Sequence, residues 1–508
     1  MDAERTARHL EFVSNLTGST ILELTCLLVL PLALGFSRVL ISHLYPTLTP
    51  RLSVLLLDFL LAIAAFVLPV TLLSEYIFEI TVIACTTAIL LHCYARNRPL
   101  SVPLFEPYYA VRRALRAYIL LFTCVCIYAV DFPLFPRRFA KTEAYGVSLM
   151  DVGVGLISVS CGHSNVPFVY FLRSARPYSS ISSVLSSSVL LVLLGAARTL
   201  VVKLLGYPEH VTEYGVHWNF FATLAVLRVS MSSLAYYSDC STHLLFLQFA
   251  GFLVGSQLSR LSNFGAMNAL FLLSAACTIG HQAMLSSLGL EQSLAPDSSL
   301  LKEEARRSSL LLANAEGLVS LPGYFALFLW GMLLSFVVDV HLTDGVSSVK
   351  YKLLCVQEEE KWRGLPRRVS LLFALMAIGF LSVSYCYGEV GTSRRFVNLP
   401  FITLQVFISY ATMAFALLYW PQDVARKPLL KKDFMPLVTI VSDNAMLYFL
   451  VSNIMTGSLN LLIDTLELGD MRPVWLSNAC QFCLLTAYVI ISPLATGFLL
   501  RRVLDVLF

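Results

Sequence analysis

Ala114-Leu-Arg-Ala-Tyr-Ile-Leu-Leu-Phe-Thr-Cys-Val-Cys-Ile-Tyr-Ala-Val-Asp131 runs straight into Phe132-Pro-Leu-Phe-Pro-Arg-Arg-Phe-Ala-Lys141-Thr-Glu143, and a second apolar run opens near 146. At about 1.5 Å per residue, the first run is about 27 Å long as a helix, close to the thickness of a bilayer core. Hydrocarbon offers no partner to backbone amides, so such a run is stable there only as a helix. The connector is the unusual part. It packs three cations and two carboxylates between two membrane windows, where a short turn would tolerate almost any polar residue. That density points to chemistry rather than packing.

Working outward, further apolar windows fall near 20–42, 53–73, 76–95, 146–171, 181–206, 216–236, 316–340, 368–388, 399–420, 438–463 and 476–500. Two more, 242–259 and 264–284, compete between 237 and 315. Composition agrees. Of 508 residues, 57% are apolar and 13% charged, with a mean hydropathy of +0.74; soluble chains carry roughly 45–50% apolar and about 25% charged residues. The fold class is therefore all-α: a polytopic integral membrane protein built as one transmembrane domain over 1–508. Net charge is +4, and the basic residues lie in connectors rather than in one stripe. That argues for membrane orientation and against nucleic acid as a partner. Most of the twelve cysteines, including Cys85, Cys124, Cys126, Cys277, Cys480 and Cys483, sit inside apolar runs and read as small core residues.

The basic clusters at Arg96–Arg116, Arg173 and Arg176, Lys350–Arg368 and Arg426–Lys432 are expected to face the cytosol. Counting back places a short tail, 1–19, in the lumen, where Asn15-Leu-Thr17 would be a glycosylation acceptor. No cleavable leader is evident before the first window, which is expected to act as the targeting signal. Counting forward, an odd number of crossings is needed between 237 and 315. The expectation is about 13 transmembrane helices and a cytosolic C-terminus. Connectors 132–145, 207–215, 285–315, 389–398 and 464–475 then fall in the lumen, and the first stands out as basic against the topological bias.

Within it, Pro133 and Pro136 make a stiff turn. Asp131 is either a helix stop at headgroup level or a carboxylate at the mouth of a cavity beside Lys141. In a semi-dry site the carboxylate takes a hydroxyl proton and the ammonium steadies an oxyanion. Arg137 and Arg138 suit phosphate, with solvated surface charge as the alternative. Asp151 lies inside a window beside Gly153 and Gly155 and needs a partner, with Lys141 and Arg198 as candidates. Arg198 itself is expected to pair with an acid or an anionic ligand. Glu209, His210, Glu213 and His217 match no zinc spacing, so no metal is expected; with Asn219 they read as a gate or a substrate rim. Two polar stripes remain: Asn314, Glu316, Gly317 and Tyr324, and Asn453, Thr456, Asn460 and Asp464. Each either lines a cavity or bonds neighbouring helices. The chain has no Gly-rich phosphate loop and no G-x-S-x-G elbow, so any chemistry belongs to the membrane domain.

These residues carry a resemblance. The blocks 12–20, 129–143, 145–146 with 150–155, Tyr214-Gly-Val-His-Trp-Asn-Phe-Phe221 and Ser452-Asn-Ile-Met-Thr-Gly457 closely resemble the glycosylphosphatidylinositol inositol acyltransferases, the PIG-W family, along essentially the whole chain. The chain departs from that pattern at Leu312 and Ala315; at the latter a basic residue is usual. The resemblance implies transfer of a fatty acyl group, typically palmitoyl, from acyl-CoA to the inositol ring of glucosaminyl-phosphatidylinositol in the endoplasmic reticulum membrane. It needs no cofactor, acyl-CoA being a co-substrate. On this reading Asp131 and Lys141 are catalytic, and Arg137, Arg138, Asp151, Arg198, Glu213, His217, Asn219, Asn314, Glu316 and Asn453 shape the substrate site among membrane lipids. A lipid or sugar-lipid transporter would instead show two repeated halves, which the hydropathy pattern lacks. A non-catalytic scaffold would use the same motifs as an interface. The His/Asn pair of membrane-bound O-acyltransferases is mimicked only loosely by His217 and Asn219.

Overall fold

Backbone groups that cannot reach water must bond within their own segment, and the apolar windows among the described residues do so as helices. The computed structural model describes residues 8, 12, 16, 18–45, 51–96, 107–164, 181–205, 214–236, 263–294, 309–343, 359–388, 391–419 and 436–507, and among them there is no β-strand. The longer helices are α1 (Ile21–Leu44), α2 (Arg51–Ala62, continued by tighter and wider turns to Val70), α3 (Ile77–Arg96), α4 (Pro107–Ala129), α5 (Leu149–His163), α6 (Ile181–Leu205) and α7 (Phe220–Tyr236). They are followed by α8 (Asn263–Ser287), α9 (Ala315–Thr343), α10 (Glu359–Tyr387), α11 (Leu399–Tyr419), α12 (Ala445–Leu462) and α13 (Val474–Leu507).

Nine stretches among the described residues are long and apolar enough to cross a membrane; Leu149–His163, Ser188–Leu200 and Phe220–Ser230 are shorter apolar helices. Helix α4 is apolar in its second half and carries Arg112, Arg113 and Arg116 in its first. Each helix corresponds to a window read from the sequence. Of the two competing windows, 264–284 is α8, with a candidate span at Asn268–Ser287; 242–259 lies outside the described residues, as does Asn15.

Helix α5 packs on α9 at very short range. A Cβ at Gly162 would stand 2.0 Å from the Phe328 carbonyl oxygen, and one at Gly331 would stand 2.1 Å from that of Val159. Small residues at such crossings let backbones touch, which is how membrane helices gain packing energy without a hydrophobic drive. Around this pair, the Tyr410 hydroxyl on α11 donates to the Trp330 carbonyl (3.0 Å) and Trp330 Nε1 donates to Thr278 on α8 (3.1 Å). The outer faces of α3 and α10 expose Ile83, Leu90, Ile378 and Leu381, as lipid-facing surfaces do.

Connectors interlock at one end of the bundle. The Gly146 N–H donates to the Thr392 carbonyl and Ser393 Oγ donates to that of Ala144. Val216 N–H reaches Ala313, and Gly317 N–H reaches Tyr214. At the other end the ties are ionic: Arg38 with Asp58 at 3.1 Å, both buried, and Arg113 with Asp443.

Candidate active site

Helix α4 stops at Ala129, and the next residues fold into an elbow whose aromatic side chains Phe132, Phe135 and Phe139 are fully buried. With those rings inside, the polar groups of the elbow must find partners. Asp131 is 6% exposed and Asn460 of α12 is 8% exposed; Asn460 Nδ2 donates to Asp131 Oδ2 at 2.5 Å. The Leu134 N–H donates to Gln481 Oε1 of α13 at 2.8 Å. Pro133 presses on Gly469, where a Cβ would lie 2.4 Å from the proline ring. The elbow is thus seated in the hairpin formed by α12, Thr465–Asp470 and α13.

Both arginines of the elbow bond to the protein itself, Arg137 to backbone carbonyls and Arg138 chiefly to two glutamates. Arg137 donates to the carbonyls of Val130 (2.8 Å), Phe132 (3.2 Å) and Phe135 (3.0 Å), and its guanidinium lies 4.0 Å from the Phe12 ring centroid. It satisfies the orphan carbonyls of a helix end, as a cation does well. Burial pulls its pKa down to about 10, with the Asp131 carboxylate opposing the drop, so it stays cationic at neutral pH. Arg138 donates to Glu23 (2.8 Å), Glu75 (2.8 Å) and the Ser74 carbonyl (3.0 Å), tying the elbow to α1 and to the turn before α3. Burial works against its charge, and the two glutamates outweigh it, so its pKa rises.

Lys141 is half-buried at the far end of the elbow. The residue after it, Thr142, donates through both its N–H (3.1 Å) and its hydroxyl (2.9 Å) to Asp151 Oδ2. Asp151 is completely buried and also accepts from Ser148 Oγ at 2.8 Å. Ser148 in turn caps α5 by accepting the Asp151 N–H, a reciprocal arrangement that fits an S-x-x-D start. The ionic partner of Asp151 is Arg394, whose Nε lies 2.7 Å from Oδ1; the two side chains are 3% and 0% exposed. Neither candidate partner named from the sequence is the one used.

Arg394 and its neighbour Arg395 are what the sequence reading missed. The connector before α11 carries two arginines, and both turn inward. Arg395 Nη2 lies 3.0 Å from Glu316 Oε1, with 1% and 0% exposure. The segment is fixed further by Asn398, which accepts the Ser393 N–H (3.0 Å) and donates to the Gly391 carbonyl (2.8 Å), and by His281, whose Nε2 lies 2.9 Å from the Phe396 carbonyl oxygen.

The remaining candidates divide. Asn314 Oδ1 accepts the backbone N–H groups of His217 and Trp218, both at 2.9 Å, so it shapes the 214–219 turn. The His217 side chain is exposed. Asn219 is buried and structural: its Oδ1 accepts the Ala222 N–H at the start of α7, and its Nδ2 donates to the Gly195 carbonyl (2.9 Å) and Thr199 Oγ1 (3.3 Å) of α6. Gly195 and Thr199, one turn apart, take the face of α6 that meets α7. The Arg198 side chain on the same helix is exposed. Asn453 donates within its own helix to the Phe449 carbonyl at 2.7 Å, and Asp464 caps Thr465–Asp470. Of that stripe, Asn460 is the member seen bonded to Asp131. Glu209, His210 and Glu213 lie outside the described residues.

The class defined by these features is an all-α polytopic membrane protein with buried acids and cations gathered under the connectors of one membrane face. Comparison with known proteins takes this further: the family model named GWT1 matches residues 5–493, and the chain belongs to the GWT1 family. It is 31% identical over 383 residues to the GPI-anchored wall transfer protein 1 of Schizosaccharomyces pombe, covering 74% of this chain and 69% of the relative. It is 29% identical to the protein of the same name from Emericella nidulans, covering 93% and 94% of the two chains. With the human glucosaminyl-phosphatidylinositol-acyltransferase PIGW it shares 28% identity over 93% of this chain and 94% of the relative.

Proposed function

We propose that this protein is an O-acyltransferase that moves a fatty acyl group from acyl-CoA to the inositol ring of glucosaminyl-phosphatidylinositol during assembly of glycosylphosphatidylinositol anchors. The alignment with a human enzyme named for acyl transfer to that lipid, running along 93% of this chain, supports the reaction class. The observation that carries the site assignment is Asp131, a carboxylate kept buried at a helix end on an elbow clamped by Asn460, Gln481 and Arg137. A group held this rigidly is suited to a reaction in which orientation supplies much of the rate.

In the proposed step an inositol hydroxyl attacks the thioester carbonyl and Asp131 takes its proton. The oxyanion of the tetrahedral intermediate is steadied by the Lys141 ammonium. Collapse breaks the C–S bond, the ester remains on the ring, and the coenzyme A thiolate leaves with the proton that Asp131 returns. Asp151 with Arg394, and Glu316 with Arg395, hold the floor of the site rather than touching the reacting atoms. We place the reaction in the endoplasmic reticulum membrane with the elbow and the N-terminus on the lumenal side, supported by the distribution of Lys and Arg among the connectors.

The test is turnover of purified protein given acyl-CoA and glucosaminyl-phosphatidylinositol. Asp131→Asn and Lys141→Ala are each expected to lose about 10²–10⁴-fold in kcat while folding normally. Near-normal turnover in both folded variants would sink the assignment.

A further inference from the structure

Asn460 sits in the last turn of α12, one turn beyond Thr456, on a face that looks into the protein. Along that face the hydroxyl of Thr456 donates to the Ser452 carbonyl (3.0 Å) and meets the Tyr488 hydroxyl at 3.1 Å. The Tyr488 ring stacks on Tyr128 with centroids 4.5 Å apart, and Tyr128 meets Phe132 edge-on at 5.0 Å. The end of α4 is therefore packed against α12 and α13 by rings, which leaves little play at Asp131. Into this packing Asn460 projects an amide that donates to Asp131 Oδ2 at 2.5 Å, with both side chains buried.

An aspartate carboxylate turns about its Cβ–Cγ bond in a broad, roughly two-fold well, so packing of the backbone alone does not choose which oxygen faces a substrate. A donor bound to one oxygen does. We infer that Asn460 is a positioning residue for the acyl-transfer reaction: it fixes the Asp131 carboxylate with Oδ2 turned toward α12 and Oδ1 turned away. The inference rests on Asp131 being the base. A tie between helices that served only the fold would need neither a carboxylate at this position nor a side chain this close to the proposed chemistry, but the two roles separate cleanly by experiment.

Three variants are compared per mole of folded protein: Asn460→Leu, similar in size without a donor; Asn460→Asp, matched in shape with the donor replaced by an acceptor; and Asn460→Gln, which keeps an amide one methylene further out. Detergent melting curves give the folded fraction, and kcat and KM are taken with acyl-CoA and glucosaminyl-phosphatidylinositol. For Leu and Asp, kcat is expected to fall about 10–100-fold with KM within about two-fold of the parent, because misplacing a reacting group costs rate rather than binding. Asn460→Gln is expected to recover part of the loss. Parental kcat in the folded Leu and Asp variants would overturn the inference, as would failure of all three variants to fold, which would make the tie structural. Asp131→Asn measured alongside separates the two levels. Parental turnover there brings down the base assignment itself, whereas an inactive Asp131→Asn with normal Asn460 variants brings down the positioning role alone.

Discussion

Arg394 shows how much a single buried charge constrains this protein. Its Nε is 2.7 Å from Asp151 in surroundings where neither side chain is more than 3% exposed. Removing one partner strands the other charge away from water, which typically costs about 3–5 kcal/mol. Arg394→Met is therefore expected to lower the melting temperature sharply, and the double variant Arg394→Met with Asp151→Leu is expected to regain part of the loss. A double variant no better than the single one would show that the pair's hydrogen bonds, rather than its charges, matter. Arg138 makes the opposite case. It is bound to Glu23 and Glu75 rather than held out for a ligand, so Arg138→Gln should leave the KM for the phospholipid acceptor within about two-fold of the parent. A KM raised ten-fold or more would restore the phosphate-binding role read from the sequence.

At the scale of elements, the crossing of α5 and α9 is set by two glycines that have no room for a side chain. Gly331→Leu places carbon where the Val159 carbonyl already stands, and overpacking of that kind costs about 1–3 kcal/mol or more. Melting in detergent checks this, and an unchanged midpoint would mean that the helices separate at little cost. The helices themselves were legible because length and apolarity suffice in a bilayer, and even the choice between 242–259 and 264–284 could be framed by parity. The elbow was legible because Pro133, Pro136 and five charges in thirteen residues are conspicuous in an apolar chain. The partners were not. Residues 151 and 394 are 243 positions apart, and no helical period links them. Arg394 and Arg395 read as ordinary connector charge until the fold turns them inward. Asn460 was visible as one member of a polar stripe, yet only the seating of the elbow against α12 shows which member meets Asp131.

At the scale of the whole molecule, the topology proposed above, with an odd number of crossings, would put the two termini on opposite faces and the N-terminus and the Asp131 elbow together in the lumen. In sealed microsomes an epitope at the N-terminus is expected to survive added protease while one at the C-terminus is lost; termini digested alike would break the parity argument. The Asp131 carboxylate on its rigid elbow is tested most directly by acyl-CoA-dependent acylation of glucosaminyl-phosphatidylinositol, measured with purified parent and Asp131→Asn proteins of equal melting temperature. Steady product formation by the parent and a loss of at least about 10²-fold in kcat for the variant are expected. Equal rates from the two proteins would contradict a catalytic role for Asp131.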